Sequence, residues 1–134
     1  MEMNDISYKV IGCAMKVHNE LGTGFQEVIY QRALKIELTE AGLSFQREVE
    51  MPIYYKGEII GERRVDFLVE EKMMVELKAI SEILPVHQTQ AVNYLEAYHL
   101  ADGLLINFGA FKLEYHRVYN NRLTGKNQSW KTDK

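Results

Sequence analysis

The sequence predicts an α/β (α+β) fold: a mixed central β-sheet flanked by helices, in the order ααβββαββ. Three observations carry that reading. Apolar residues recur at helical spacing over 5–41, the pattern switches to period two over 45–80, and glycine or proline marks each change of element.

Residues 5–20 (DISYKVIGCAMKVHNE) place Ile6, Val10, Ile11, Ala14 and Val17 on one helical face, with Asp5 as the expected N-cap. Leu21-Gly22-Thr23-Gly24 breaks the pattern. A second helix is expected over 25–41, with Phe25, Val28, Ile29, Ala33, Leu34, Ile36 and Leu38 as its apolar set and Gly42 as its C-cap. Residues 45–55 read as a strand in which Pro52 marks an edge or a bulge. Lys56-Gly57-Glu58 is a hairpin turn, and strands follow over 59–69 and 73–80. Pro85 suits the first turn of a helix over 86–101, which Asp102-Gly103 ends. The apolar run 104–108 (LLINF) reads as a buried strand, and the alternating 111–119 closes the sheet. One domain over 1–119 is expected, followed by a polar, frayed tail over 120–134.

With 134 residues, 46% hydrophobic and 26% charged, the chain has ordinary globular composition and the length for a substantial core. A lone cysteine, Cys13, excludes an internal disulfide and fits a reducing cytoplasm. No apolar run reaches the 18 residues of a membrane span, and the N-terminus lacks the apolar stretch of a signal peptide. The net charge of −3 argues against holding nucleic acid by charge alone, yet it suits carboxylates offset by bound cations.

The chemistry concentrates in VDFLVEEKMMVELKA, residues 65–79. Val65, Phe67, Val69, Val75, Leu77 and Ala79 read as one apolar face, which leaves Asp66, Glu76 and Lys78 to the other. If the hairpin pivots on Glu71, residue 66 lies opposite residue 76 and the two carboxylates share a face. A two-residue loop would put Asp66 opposite Leu77 instead, so an odd-numbered loop is expected. Paired carboxylates are tolerated when a divalent cation lies between them, and Mg²⁺ suits Asp66, Glu76 and the Leu77 carbonyl. Such an ion activates water and polarises a phosphodiester, with Lys78 orienting that water or stabilising the developing charge. The simpler alternative is a solvated sheet face with a cross-strand ion pair.

Further motifs lie on either side. Gly24-Phe25-Gln26-Glu27 with Tyr30 reads G-x-x-E-x-x-Y, and Gln90 to Tyr94 reads Q-x-x-x-Y. With Val65-Asp66 and Glu76-Leu77-Lys78 between them, the ordered series resembles the PD-(D/E)XK nuclease superfamily, closest to its RecB-like and lambda-exonuclease-like branch. More narrowly, VHNELGTGFQEVIYQRAL, RRVDFLVE, VELKA, HQTQAVNYL and GLLINFG resemble the small bacterial "GxxExxY" proteins, over Val17 to Gly109. The resemblance implies a restriction-endonuclease-like core. It implies Asp66 and Glu76 as ligands of Mg²⁺ or Mn²⁺, Lys78 as the catalytic lysine, and Glu27 as a helix-borne carboxylate near the metal. It also implies Gln90 and Tyr94, with Tyr30, on the substrate side. Val65 stands where the motif has proline, which removes no ligand.

Gln90 and Tyr94 are i, i+4 and share a helix face that His87 extends; His87 itself reads as a packing or solvent-facing histidine. Glu27, in its helix's first turn, is also favoured there by the dipole alone. Arg64 shares Asp66's face by alternation, for a phosphate or for that carboxylate, whereas Arg63 falls on the opposite face, where it pairs with a glutamate. Lys56, Arg47, Arg32 and Lys35 are further cations for DNA. Met73-Met74 reads as strand packing. Two functions follow: a metal-dependent DNA nuclease, or a non-catalytic nucleic-acid- or protein-binding module that keeps the fold. The small size leaves surface for a partner or a homo-oligomer.

Overall fold

The structure, a computed structural model, describes residues 1–126. Helix α1 (Met3–Leu21) buries Ile6, Val10, Cys13, Ala14 and Val17, spaced three and four apart as one stripe. It begins before Asp5, which lies in the first turn rather than at the cap. Helix α2 (Glu27–Glu40) buries a narrower stripe than expected, Tyr30, Gln31, Leu34 and Leu38. Phe25, Val28, Ile29 and Ile36 are exposed, because α2 meets the rest of the fold along one i, i+4 row only.

Five strands form one sheet in the order β1-β2-β3-β4-β5. They are β1 (Phe45–Tyr55), β2 (Glu58–Val69), β3 (Met73–Lys78), β4 (Asp102–Asn107) and β5 (Glu114–Tyr119). Neighbours are antiparallel except β3 and β4, which run parallel and are joined by helix α3 (Pro85–Ala97). This βαβ crossover makes the sheet mixed. Helices α1 and α2 cover one face, packing with Phe67, Val69, Met73, Val75, Leu77, Leu104 and Ile106. Helix α3 covers the other, with Ala91, Val92 and Leu95 against Val65, Met74 and Val118. A short helix α4 (Asn121–Thr124) follows, capped by the buried Asn120, whose side chain accepts from Arg122 N. Asn121–Thr124, expected within a frayed tail, is thus helical, and the part of that expectation over 127–134 lies outside the described residues.

Two local features depart from simple alternation. Val65 and Phe67, expected on one face, pack into opposite layers. The β1–β2 ladder skips Glu48 opposite Asp66, and Glu48 has φ 55°. The hairpin turns over at that point, so its outer part faces α3 and its inner part faces α1 and α2. Gly103, expected to break the chain, lies inside β4, where a Cβ would come within 3.1 Å of Met74 O and Val118 Cγ2. It is a close-approach glycine that lets α3 and β5 seat against β4.

Candidate active site

The β2–β3 hairpin turns through residues 70–72, and its ladder pairs Val69 with Met73, Leu68 with Met74 and Phe67 with Val75. That odd loop sets residue 66 across from residue 76. Here the strands part, and side chains replace the ladder. Asp66 N donates to Glu76 Oε1 (2.9 Å), and Leu77 N donates to Asp66 Oδ2 (2.8 Å). Each carboxylate thus satisfies a backbone donor on the other's strand, which is why the buried Glu76 and the half-buried Asp66 are accommodated at a strand fork.

The remaining carboxylate oxygens reach opposite layers. Asp66 Oδ1 accepts from Gln31 Nε2 of α2 (2.8 Å). Glu76 Oε2 accepts from Arg63 Nη2 (2.6 Å), and the Arg63 guanidinium lies 4.8 Å over the Tyr94 ring of α3. Glu76 is only 3% exposed. Burial, and then the negative charge of Asp66, push its carboxyl up to about 7. Burial also raises the Asp66 carboxyl. The Glu27 carboxyl, in the first turn of α2, is raised by burial too, while Lys78 and Arg63 pull it down and Asp66 pushes it up. Those couplings place Glu27 within electrostatic reach of the same centre.

Lys78 ends β3 and lines a crevice too tight to admit a water molecule with Arg63, Glu76, His87, Gln90 and Tyr94. His87 has a second task at the start of α3, where its Nδ1 accepts from Leu84 N (2.9 Å). The β3 end is held by Asn107, fully buried, whose side chain bonds Ile80 N, Ile80 O, Gly109 N and Glu114. Gly109 must be glycine, since a Cβ would lie 2.3 Å from Ile80 O.

The fold therefore brings Glu27, Asp66, Glu76, Lys78, Gln90 and Tyr94 to one fork. Two expected residues lie elsewhere. Tyr30 is fully buried; its OH donates to Gly22 O (2.6 Å) and accepts from Phe25 N (3.3 Å), and its ring stacks on Phe108 at 4.7 Å. It braces the glycine turn before α2 rather than a substrate. Arg64 pairs with Glu50 (2.7 Å) and Glu48 (3.6 Å) on the outer hairpin, away from Asp66. Arg63, expected to pair with a glutamate, pairs with the site's Glu76. Gln31 was legible as i+4 from Glu27 but carries no motif of its own.

The donor set fits a hard divalent cation. It is all oxygen, and within it the charge of Asp66 adds to burial in raising the Glu76 carboxyl. Gln31 Oε1 and Arg63 Nε lie beside it, buried, with no hydrogen-bond partner among the described residues. Among those residues no group of three or more His, Cys, Asp or Glu encloses a metal position. Zinc, which takes four such ligands or three with a water, is disfavoured, whereas Mg²⁺ keeps most of its waters and needs one or two carboxylates.

A family model of the PD-(D/E)XK nuclease superfamily matches residues 4–118. The chain belongs to the PD-(D/E)XK nuclease superfamily. The crystal structure of SSO0001 is similar to it in fold, with TM-score 0.56 and 19% identity over 68% of this chain and 48% of that one. The chain thus spans about half the length of that protein. No curated protein matches the sequence. The superfamily generally comprises nucleases that typically use divalent metals, and the mixed five-stranded sheet with flanking helices is the architecture expected of it. No helix among the described residues is long and apolar enough to cross a membrane.

Proposed function

We propose that this superfamily member is a Mg²⁺- or Mn²⁺-dependent nuclease that hydrolyses phosphodiester bonds in DNA, of the GxxExxY group within the RecB-like branch. One observation carries the reading: at the strand fork, Asp66 and the deeply buried Glu76 hold each other's strands, with Glu76 raised to about 7. Two carboxylates held this close suit a divalent cation lying between them.

Asp66 and Glu76 would hold the ion, with the Leu77 backbone carbonyl, and Glu27 would reach it directly or through water. When bound, the ion supplies an activated water and polarises the phosphodiester. Lys78 orients that water and stabilises charge developing on the phosphate. Gln90 and Tyr94 contact the strand backbone from α3. Arg63, which pairs with Glu76 on the α3 side, would be available to a phosphate where an ion held that glutamate. A cytoplasmic location goes with this reading, as does a second copy or a partner supplying further substrate surface.

The Arg63–Glu76 pair also favours a second reading, since an arginine already balances the glutamate. On that reading the chain is a non-catalytic nucleic-acid- or protein-binding module. Incubating linear and circular DNA with Mg²⁺ or Mn²⁺ decides between them. The nuclease reading expects wild-type cleavage, loss in Glu76→Ala, and a fall of roughly 100-fold or more in Lys78→Ala. Circular dichroism checks that both variants fold. Absence of wild-type cleavage in either metal favours the module.

A further inference from the structure

A second feature lies along α2, next to the strand fork. A groove of about 570 Å³ is lined by Arg32, Lys35, Ile36, Thr39 and Glu40 of α2 and by Arg47 of β1. The α2 residues are spaced three and four apart, so they form one stripe along the helix. Its floor is apolar, with Ile36 58% exposed. Its cations are free: among the described residues no ion pair involves Arg32, Lys35 or Arg47. By contrast Arg63, Arg64, Arg117 and Arg122 each face a carboxylate. Three cations against the single acid Glu40 make the groove locally basic in a chain of net charge −3.

Two relations join the groove to the fork. Arg32 directly follows Gln31, whose amide holds Asp66. Arg47 pairs across the ladder with Phe67, the residue after Asp66. Cations distributed along a stripe, over an exposed aliphatic floor, match a polymer whose charges repeat along one edge while its sugars present carbon. A single small anion would use one of these cations and leave the rest of the stripe unmatched.

We propose that this groove carries the phosphodiester backbone of the DNA strand adjoining the scissile position, with Arg32, Lys35 and Arg47 each contacting a phosphate. The proposal rests on the nuclease reading and adds the direction in which substrate leaves the fork. Such contacts fix register without reading sequence.

The test is fluorescence anisotropy of a short labelled DNA duplex across a salt series, in EDTA so that no cleavage occurs. It compares wild type, the single variants, the triple variant Arg32→Gln/Lys35→Gln/Arg47→Gln, and as control Lys112→Gln, just before β5 at the sheet edge opposite β1. Each phosphate contact contributes about 0.9 to the slope of log K against log salt. The triple variant should therefore be shallower by about 2–3, each single variant by about 1, and Lys112→Gln should keep the wild-type slope. A triple variant with wild-type slope and affinity overturns the groove, and wild-type cleavage in Mg²⁺ would show that the nuclease reading survives it. Wild type that neither binds nor cleaves DNA overturns both.

Discussion

Arg63 grips Glu76 at 2.6 Å from the α3 side, although it stands three residues before Asp66, the carboxylate on the neighbouring strand with which Glu76 shares the fork. The arginine is a built-in counter-ion at the position where a divalent cation would bring its own charge. That relationship makes the fork testable through stability as well as through activity.

Removing the counter-ion exposes its worth. Arg63→Ala should destabilise the metal-free protein at pH 8 by about 1–3 kcal/mol. That is less than a fully buried pair would lose, because Arg63 is 35% exposed. The loss should shrink at pH 5, where Glu76 is protonated, and on addition of Mg²⁺. Denaturant melts at the two pH values measure it.

Glu76 also sets a pH dependence whose sign is opposite to ordinary acid denaturation. Its folded-state value of about 7 exceeds its usual 4.5, so between those values the folded protein holds a proton that the unfolded chain has released. Stability of the metal-free protein therefore falls as pH rises through that window, by roughly 3 kcal/mol at most, and levels off above it. The raised carboxyls of Asp66 and Glu27 act in the same direction. Glu76→Gln should flatten most of this slope, read as Tm against pH.

Tyr30→Phe separates bracing from catalysis. The phenyl ring keeps its stacking on Phe108, but Gly22 O and Phe25 N lose their partner. A cost of about 1–2 kcal/mol is expected, with metal affinity and KM unchanged. A large change in KM with unaltered stability would instead return Tyr30 to the substrate.

Asn107→Ala should be among the most damaging polar truncations. Four bonds to Ile80, Gly109 and Glu114 disappear from a fully buried position, at a cost of about 2–4 kcal/mol. Asn107 pairs with Lys78 across β3 and β4, so DNA cleavage at temperatures below the melt should fall as well.

Much of this was legible in the chain. Glu70-Glu71-Lys72 between period-two runs fixed an odd loop, and with it the opposition of residues 66 and 76. The α1 stripe and the helical Gln90–Tyr94 pair follow from spacing alone. What escaped was non-local. Alternation assigned Val65 to the layer of Phe67, because nothing in REVEMP announces the reversal at Glu48, and it left Arg64 to Asp66 or a phosphate, whereas Arg64 pairs with Glu48 and Glu50. Gly103 resembled a break because a glycine's use as a close-packing site depends on Met74 and Val118, far away in sequence. Tyr30 carried a motif position, yet its partners are backbone groups of the preceding turn.

Calorimetric titration of Mg²⁺ and Mn²⁺ into wild type and Glu76→Ala, near pH 7 in two buffers of different ionisation enthalpy, tests the central claim most directly. The account predicts one ion bound by wild type, with proton release as Glu76 ionises, and no binding by the variant. Equal binding by both proteins, or none by wild type, would contradict a metal site built on Asp66 and Glu76.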